Sequence, residues 1–205
     1  ILKAQSEDGF SLLEFYSRRI KRIFPALIVV LTFCLVAGWF ILVADEYEAL
    51  GKHIAAGAVY VSNFVLKAES GYFDVASELK PLLHLWSLGI EEQFYLVWPL
   101  LLIFALRGNL NPLAVIVLTL AISFLLNITY IERLPTQVFY LPISRSWELL
   151  IGAILAYINL YKRHDFDLIV SKTLLRNPNQ IGSHVGNILA WTGVALVIMA
   201  MVGLD

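Results

Sequence analysis

Two adjacent carboxylates, Glu91 and Glu92, stand in the middle of the apolar and aromatic run PLLHLWSLGIEEQFYLVWPLLLIFAL, from Pro81 to Leu106. That run is long enough to cross a bilayer as one helix, which takes about 20 residues. At about 100° per residue, His84, Ser87, Leu88, Glu91, Tyr95 and Trp98 fall on one stripe, and Glu92 lies a further step round the helix. A charged side chain at mid-membrane costs roughly 2.5–3.5 kcal/mol on insertion scales, so such a stripe must face protein or a water-filled cavity. Glu91 can then serve as a general base, as the orienter of a base, or as half of a buried ion pair with Arg145 or another arginine. His84, near the helix start, is either hydrogen-bonded scaffolding or a proton-transfer group. Trp86, Tyr95 and Trp98 read first as packing and interface aromatics.

Two other constellations carry charge beside apolar sequence. FYSRRIKRIFP, from Phe15 to Pro25, places Arg18, Arg19, Lys21 and Arg22 directly before an uncharged run. Juxtamembrane basic residues commonly hold a helix end in the cytoplasm. Arg18 and Arg22, one helical turn apart, also suit a phosphate-bearing ligand, and the two roles are compatible. In SRSWELLIGAILAYINLY, Arg145 and Glu148 are spaced to pair on one helix face. No metal-ligand set is visible: Cys34 is the one cysteine, and no H-x-x-x-H pair occurs. Walker A, G-x-G-x-x-G and G-x-S-x-G motifs are also absent.

The elements that must position these residues are membrane helices. The 205 residues are 59% hydrophobic and 15% charged, with a mean hydropathy of +0.75. Soluble domains run near 45–50% apolar and about 25% charged. A net charge of -1 gives no bulk case for nucleic-acid binding. Ser11 and Glu14 have capping-box spacing and predict a helix start. Uncharged spans are predicted at Ile23–Ala44, Pro112–Ile131 and Val185–Leu204. Ala49–Leu66 is shorter and interrupted by Lys52 and His53; its Asn63 is expected to make an interhelical hydrogen bond. Pro81–Leu106, with Pro81 in its first turn, and Ser144–Tyr161 complete the set. The sequence therefore predicts an all-α polytopic transmembrane bundle of about six helices, without strands or a soluble domain. If the arginine patch is cytoplasmic and all six cross, the basic Lys162–Arg176 loop lies outside, against the positive-inside trend. Either one segment, with Ala49–Leu66 the first candidate, does not cross fully, or that loop breaks the trend. Because the chain opens on Ile1 and a polar stretch, it is expected to belong to a longer protein.

Three stretches resemble the acyltransferase family 3 of integral-membrane O-acyltransferases. They are FYSRRIKRIFPAL (Phe15–Leu27), PLLHLWSLGIEEQFYLVWPLL (Pro81–Leu101) and FYLPISRSWELLIGAILA (Phe139–Ala156). The second, H-x-W-S-L-x-x-E-E-Q-F-Y-L-x-W-P, is the most specific, and the set is most similar to the branch that acetylates lipopolysaccharide O-antigen or peptidoglycan. This resemblance implies that residues 1–205 are part of one membrane acyltransferase domain in the bacterial cytoplasmic (inner) membrane. It implies transfer of an acyl group, usually acetyl from acetyl-CoA, to a hydroxyl of an extracytoplasmic glycan, with no metal and no nucleic acid. On the family pattern, Arg18, Arg19 and Arg22 face the CoA side, and Glu91 and Tyr95 match the Glu-to-Tyr motif. With His84 they form the candidate catalytic set. Arg145 and Glu148 match the later R-x-W-E pattern and, with Trp86 and Ser87, are expected to line or brace the acyl path. The family's first helices, with an Arg and His linked to transfer, would precede Ile1. The rival reading is a transporter or flippase for a lipid-linked glycan, with Glu91 as a proton or substrate site.

Overall fold

The computed structural model describes residues 11–71, 80–162, 190–195 and 199. Its elements in chain order are α1 (Leu12–Ile41), α2 (Ala44–Ala58), α3 (Ser62–Glu69), α4 (Leu85–Arg107), α5 (Pro112–Tyr130), α6 (Pro135–Tyr140) and α7 (Pro142–Tyr161). No strand occurs among the described residues, as the sequence predicts. The chain divides into two compact units, 1–154 and 155–205. The sites described below lie in the first.

Ser11 caps α1, its hydroxyl accepting from the Glu14 backbone N–H at 3.3 Å, as the capping-box spacing predicts. At 1.5 Å per residue the 30 residues of α1 extend for about 45 Å. α4 begins at Leu85 rather than at Pro81. The intervening residues form tight turns, with the Leu83 N–H on the Lys80 carbonyl and the Leu85 N–H on the Leu82 carbonyl.

Among the described residues, α1, α4 and α5 are long and apolar enough to cross a membrane, three helices where the sequence predicts about six along the whole chain. Ala49–Leu66 accounts for one difference. It breaks at Val59–Val61 into helices of 15 and 8 residues, each short of the roughly 20 a span needs. Tyr60 sits at this break with φ 59°, a left-handed conformation that a bulky residue rarely adopts. Ser144–Tyr161 is helical within α7, but Arg145 and Glu148 in its first turns dilute its apolar character. Most of Val185–Leu204 lies outside the described residues. In the most apolar stretches of α1, α4 and α5, 17%, 39% and 11% of residues are buried. The greater part of this apolar surface therefore faces outward, as lipid requires.

Leu27 and Leu31 of α1, Leu50 of α2, and Leu82 and Leu85 at the start of α4 form the core cluster. Glycines bring these helices close. A Cβ on Gly38 would meet Leu50 Cδ2 at 2.5 Å, and one on Gly57 would meet Leu85 Cδ1 at 2.7 Å. α1 and α4 run antiparallel. Leu27 and Leu31 cluster with Leu85, while the Tyr16 hydroxyl, farther back on α1, donates to the Leu96 carbonyl at 2.7 Å. α5 and α7 are tied by one buried hydroxyl: Ser123 Oγ donates to the Ile143 carbonyl at 2.6 Å and accepts from the Trp147 N–H at 3.0 Å.

Candidate functional site

Between the two ends of the α1–α4 contact, Arg19 meets Glu92. Arg19 Nη2 donates to Glu92 Oε1 at 2.5 Å and Nε to Oε2 at 3.3 Å, with side-chain exposures of 17% and 14%. The guanidinium carbon lies 3.4 Å from the centroid of the Tyr95 ring. One planar cation thus satisfies a carboxylate with its fork and an aromatic ring with its face, a pairing that lysine cannot reproduce. Glu92 is seven residues into α4, about 10 Å along a helix long enough to span. At that depth the pair relieves the cost of both charges.

The stripe anticipated through His84, Ser87, Glu91 and Tyr95 does not form one buried line. His84, Ser87 and Glu91 are exposed, Tyr95 is half-buried, and Trp98 is buried. The buried side of α4 winds around the helix, through Leu85, Gly89 and Ile90 first, then through Phe94, Trp98, Leu102 and Ala105. Its partners change along its length, from α2 and α3 to α5. Glu92, not Glu91, therefore lies against an arginine.

The three arginines diverge. Arg19 is committed to α4. Arg18 is exposed and pairs with Glu14 one turn back at 2.5 Å. Arg22 shares with His84 a groove of about 340 Å³ whose walls are Ile23, Ala26, Leu27, Val30, Leu85 and Leu88. Arg22 and His84 are thus brought together, and Glu91 is exposed on α4. Ser87 makes a local bond, its hydroxyl donating to the His84 carbonyl at 3.1 Å. Arg145 pairs with Glu148 at 2.9 Å, as their spacing predicts. Its guanidinium carbon also lies 5.0 Å from the Trp86 ring and 5.3 Å from the Phe139 ring. Three of the four predicted path-lining residues thus form one assembly of α4, α6 and α7.

Two groupings escape a reading of periodicity. Asn63 and Gln93 pair through their amides, and Asn63 makes the interhelical bonds expected of it. Gln93 follows the two carboxylates in sequence, but nothing in the spacing says that it faces Asn63. Around Glu69 at the end of α3, Lys52 lies at 2.7 Å, His53 at 3.1 Å and Lys80 at 3.6 Å. Burial acts to raise the Glu69 carboxyl, but the Lys52 hydrogen bond and the charges of His53, Lys52 and Lys80 outweigh it. The carboxyl is held below its usual range. Burial lowers the His53 imidazole, and Lys80 and Lys52 push the same way against the opposing Glu69. This cluster forms only because the chain turns back at Tyr60, where no Pro or Gly marks the break.

Outward-facing apolar helices joined by a half-buried ion pair and amide contacts define an integral-membrane helical protein. Residues 2–203 match the family model described as an acyltransferase domain, and the chain belongs to this family of acyltransferase enzymes. The resemblance carried by the three motifs is thereby borne out. An uncharacterized protein of Haemophilus influenzae is 34% identical over 209 residues, covering 98% of this chain and 80% of that protein. O-acetyltransferase OatA of Staphylococcus aureus is 36% identical over 156 residues, covering 72% of this chain and 25% of that protein. Peptidoglycan O-acetyltransferase OatA of Listeria monocytogenes is 31% identical over 170 residues, 78% of this chain and 26% of that protein. The chain therefore spans about a quarter of the length of the two named acetyltransferases. No solved structure matches it.

Proposed function

We propose that the chain is part of one membrane domain of an O-acetyltransferase, multi-pass in the bacterial cytoplasmic (inner) membrane. The domain takes an acetyl group from cytoplasmic acetyl-CoA and delivers it to a hydroxyl of an extracytoplasmic glycan. Peptidoglycan is the preferred acceptor class, from the name of the Listeria relative, with lipopolysaccharide O-antigen as the alternative glycan.

The observation that carries this reading is the groove between α1 and α4, with the cation Arg22 and the imidazole His84 on apolar walls. A thioester donor needs anion-binding groups for its phosphates and a dry channel for its acyl arm. Because Arg19 is committed to Glu92, the phosphate role falls to Arg18 and Arg22. In the transfer itself, the acceptor oxygen attacks the thioester carbonyl carbon and the carbon–sulfur bond breaks. The hydroxyl proton passes through a base to the departing thiolate. His84 is assigned that proton transfer, Glu91 the orienting carboxylate, and Tyr95, braced by Arg19, a wall of the acyl path.

The test is ester-linked acetate on the surface glycan of the native host, compared between wild type and a deletion strain. Loss of the ester on deletion, with recovery on complementation, is the expected result. Wild-type acetate in the deletion strain, in the absence of a redundant enzyme, would overturn the reading and favour a transport role.

A further inference from the structure

We propose that Asn63 and Gln93 form a rotational lock that decides which of the two adjacent carboxylates of α4 meets Arg19. They are thereby positioning residues of the transfer site. The positioning role rests on the acyltransferase reading; the lock itself does not.

The lock is built on two backbone carbonyls at helix ends. Tyr60 lies in the break between α2 and α3, and Tyr140 is the last residue of α6. Backbone carbonyls at helix breaks in a membrane domain have no water to fall back on and need side-chain donors. Gln93 Nε2 donates to the Tyr60 carbonyl at 2.7 Å and to Asn63 Oδ1 at 2.8 Å. Asn63 Nδ2 donates to the Tyr140 carbonyl at 3.0 Å and to Gln93 Oε1 at 3.4 Å. Each amide nitrogen uses both of its hydrogens, and Asn63 is 0% exposed. Gly89, one turn before Gln93 on the same face, lets the break approach. A Cβ there would stand 3.1 Å from both Asn63 Oδ1 and the Tyr60 carbonyl oxygen.

Gln93 immediately follows Glu92, so fixing its amide on α3 and α6 also fixes Glu92 toward α1. Turning α4 by one residue, about 100°, would bring Glu91 toward Arg19 and put Glu92 where Gln93 stands. A carboxylate there is acceptor-only and would face the Tyr60 carbonyl and Asn63 Oδ1, with no hydrogen to offer either. The amide of Gln93 thus admits one rotation of α4 and rejects its neighbour. With Glu92 held on Arg19, Glu91 stays on the exposed side, near the face that carries His84.

The experiment uses the full-length protein in membranes with Cys34→Ser, and cysteine pairs that both remove Arg19, so that no ion pair sets the rotation. One pair is Arg19→Cys with Glu92→Cys; the other is Arg19→Cys with Glu91→Cys. With Asn63 and Gln93 intact, oxidation should cross-link the first pair about tenfold more readily, and Gln93→Glu, which removes both donors, should bring the two pairs within about twofold. An unchanged preference in Gln93→Glu would overturn the lock. Asn63→Ala, which removes one partner and keeps Gln93, serves if Gln93→Glu fails to accumulate, with the same outcomes. With the native Arg19 and Glu92 restored, Gln93→Glu should lower kcat for acetyl transfer with KM unchanged. A collapsed cross-link preference with wild-type kcat would refute the positioning role alone. Absence of acetyl transfer in the wild-type protein would refute the acyltransferase reading and leave the lock standing.

Discussion

Two half-buried carboxylates of this chain are paired in opposite ways. Glu92 has one cation, Arg19, which it meets fork to fork beneath the Tyr95 ring. Glu69 has three basic neighbours, Lys52, His53 and Lys80, drawn from α2 and from the turn before α4. The first is a closed, charge-balanced contact within a membrane-spanning helix, where any imbalance is expensive. The second is an oversubscribed carboxylate at the end of a short helix, outside the long spans. The difference separates two tasks. Arg19–Glu92 joins α1 to α4 and holds no charge in reserve for a ligand. Glu69 gathers the broken α2–α3 hairpin and the α4 start into one clamp. The groups left exposed beside them, Arg18, Arg22, His84 and Glu91, are those to which the proposed function assigns substrate.

The largest effect is expected from breaking the balanced pair. Glu92→Gln leaves the half-buried Arg19 without its counter-charge; removing one partner of a fully buried pair costs about 3–5 kcal/mol, so a loss of about 2–3 kcal/mol is expected here. Thermal unfolding in detergent should show a strongly destabilised protein. The double variant Arg19→Met/Glu92→Met should recover most of that loss, because neither buried charge remains. If Glu92→Gln unfolds like wild type, the pair is not what holds α1 to α4.

Glu69→Gln should be milder. Glu69 loses its charge but keeps a hydrogen-bond acceptor, and Lys52 remains largely exposed, so a loss of about 1–2 kcal/mol is expected in the same assay. A loss equal to that of Glu92→Gln would erase the contrast between the two sites.

Acid should find the Glu69 clamp. His53 is held below its ordinary value, so the unfolded chain takes up its proton first. Its contribution is present above about pH 6.5 and falls as pH drops through that value. Glu69 is also held low, so its contribution is lost at more acidic pH, as pH falls below the usual glutamate range toward its own depressed value. Stability in detergent should therefore decline in two stages on acidification, and His53→Gln should remove the first. A His53→Gln protein with the wild-type pH profile would exclude the imidazole as its source.

Much of the fold is legible in the sequence because it depends on local chemistry. The Ser11 cap, the uncharged runs of α1 and α5, and the Arg145–Glu148 pair follow from spacing alone. So does the weakness of Ala49–Leu66 as a span, since Lys52 and His53 interrupt it. The choice between Glu91 and Glu92 does not follow. Periodicity places them about 100° apart, but which one meets Arg19 depends on the rotation of α4, and that is set by contacts with Asn63 and the Tyr60 carbonyl. The Glu69 clamp is hidden for a similar reason, because it requires a reversal at a tyrosine in left-handed conformation. Arg19 belongs to a triplet that reads as one basic patch, and only packing separates its role from those of Arg18 and Arg22.

The smallest structural effect and the most informative chemical one should come from Glu91. Because it is exposed, Glu91→Gln should change stability by less than about 0.5 kcal/mol. Ester-linked acetate on the surface glycan, normalised to the amount of membrane-inserted full-length protein, measures the central claim directly. Glu91→Gln is expected to insert at wild-type levels and lose most of the acetate, while Glu92→Gln keeps near wild-type acetate per inserted protein. Wild-type acetate in Glu91→Gln would contradict the account and move the chemistry to another face of α4.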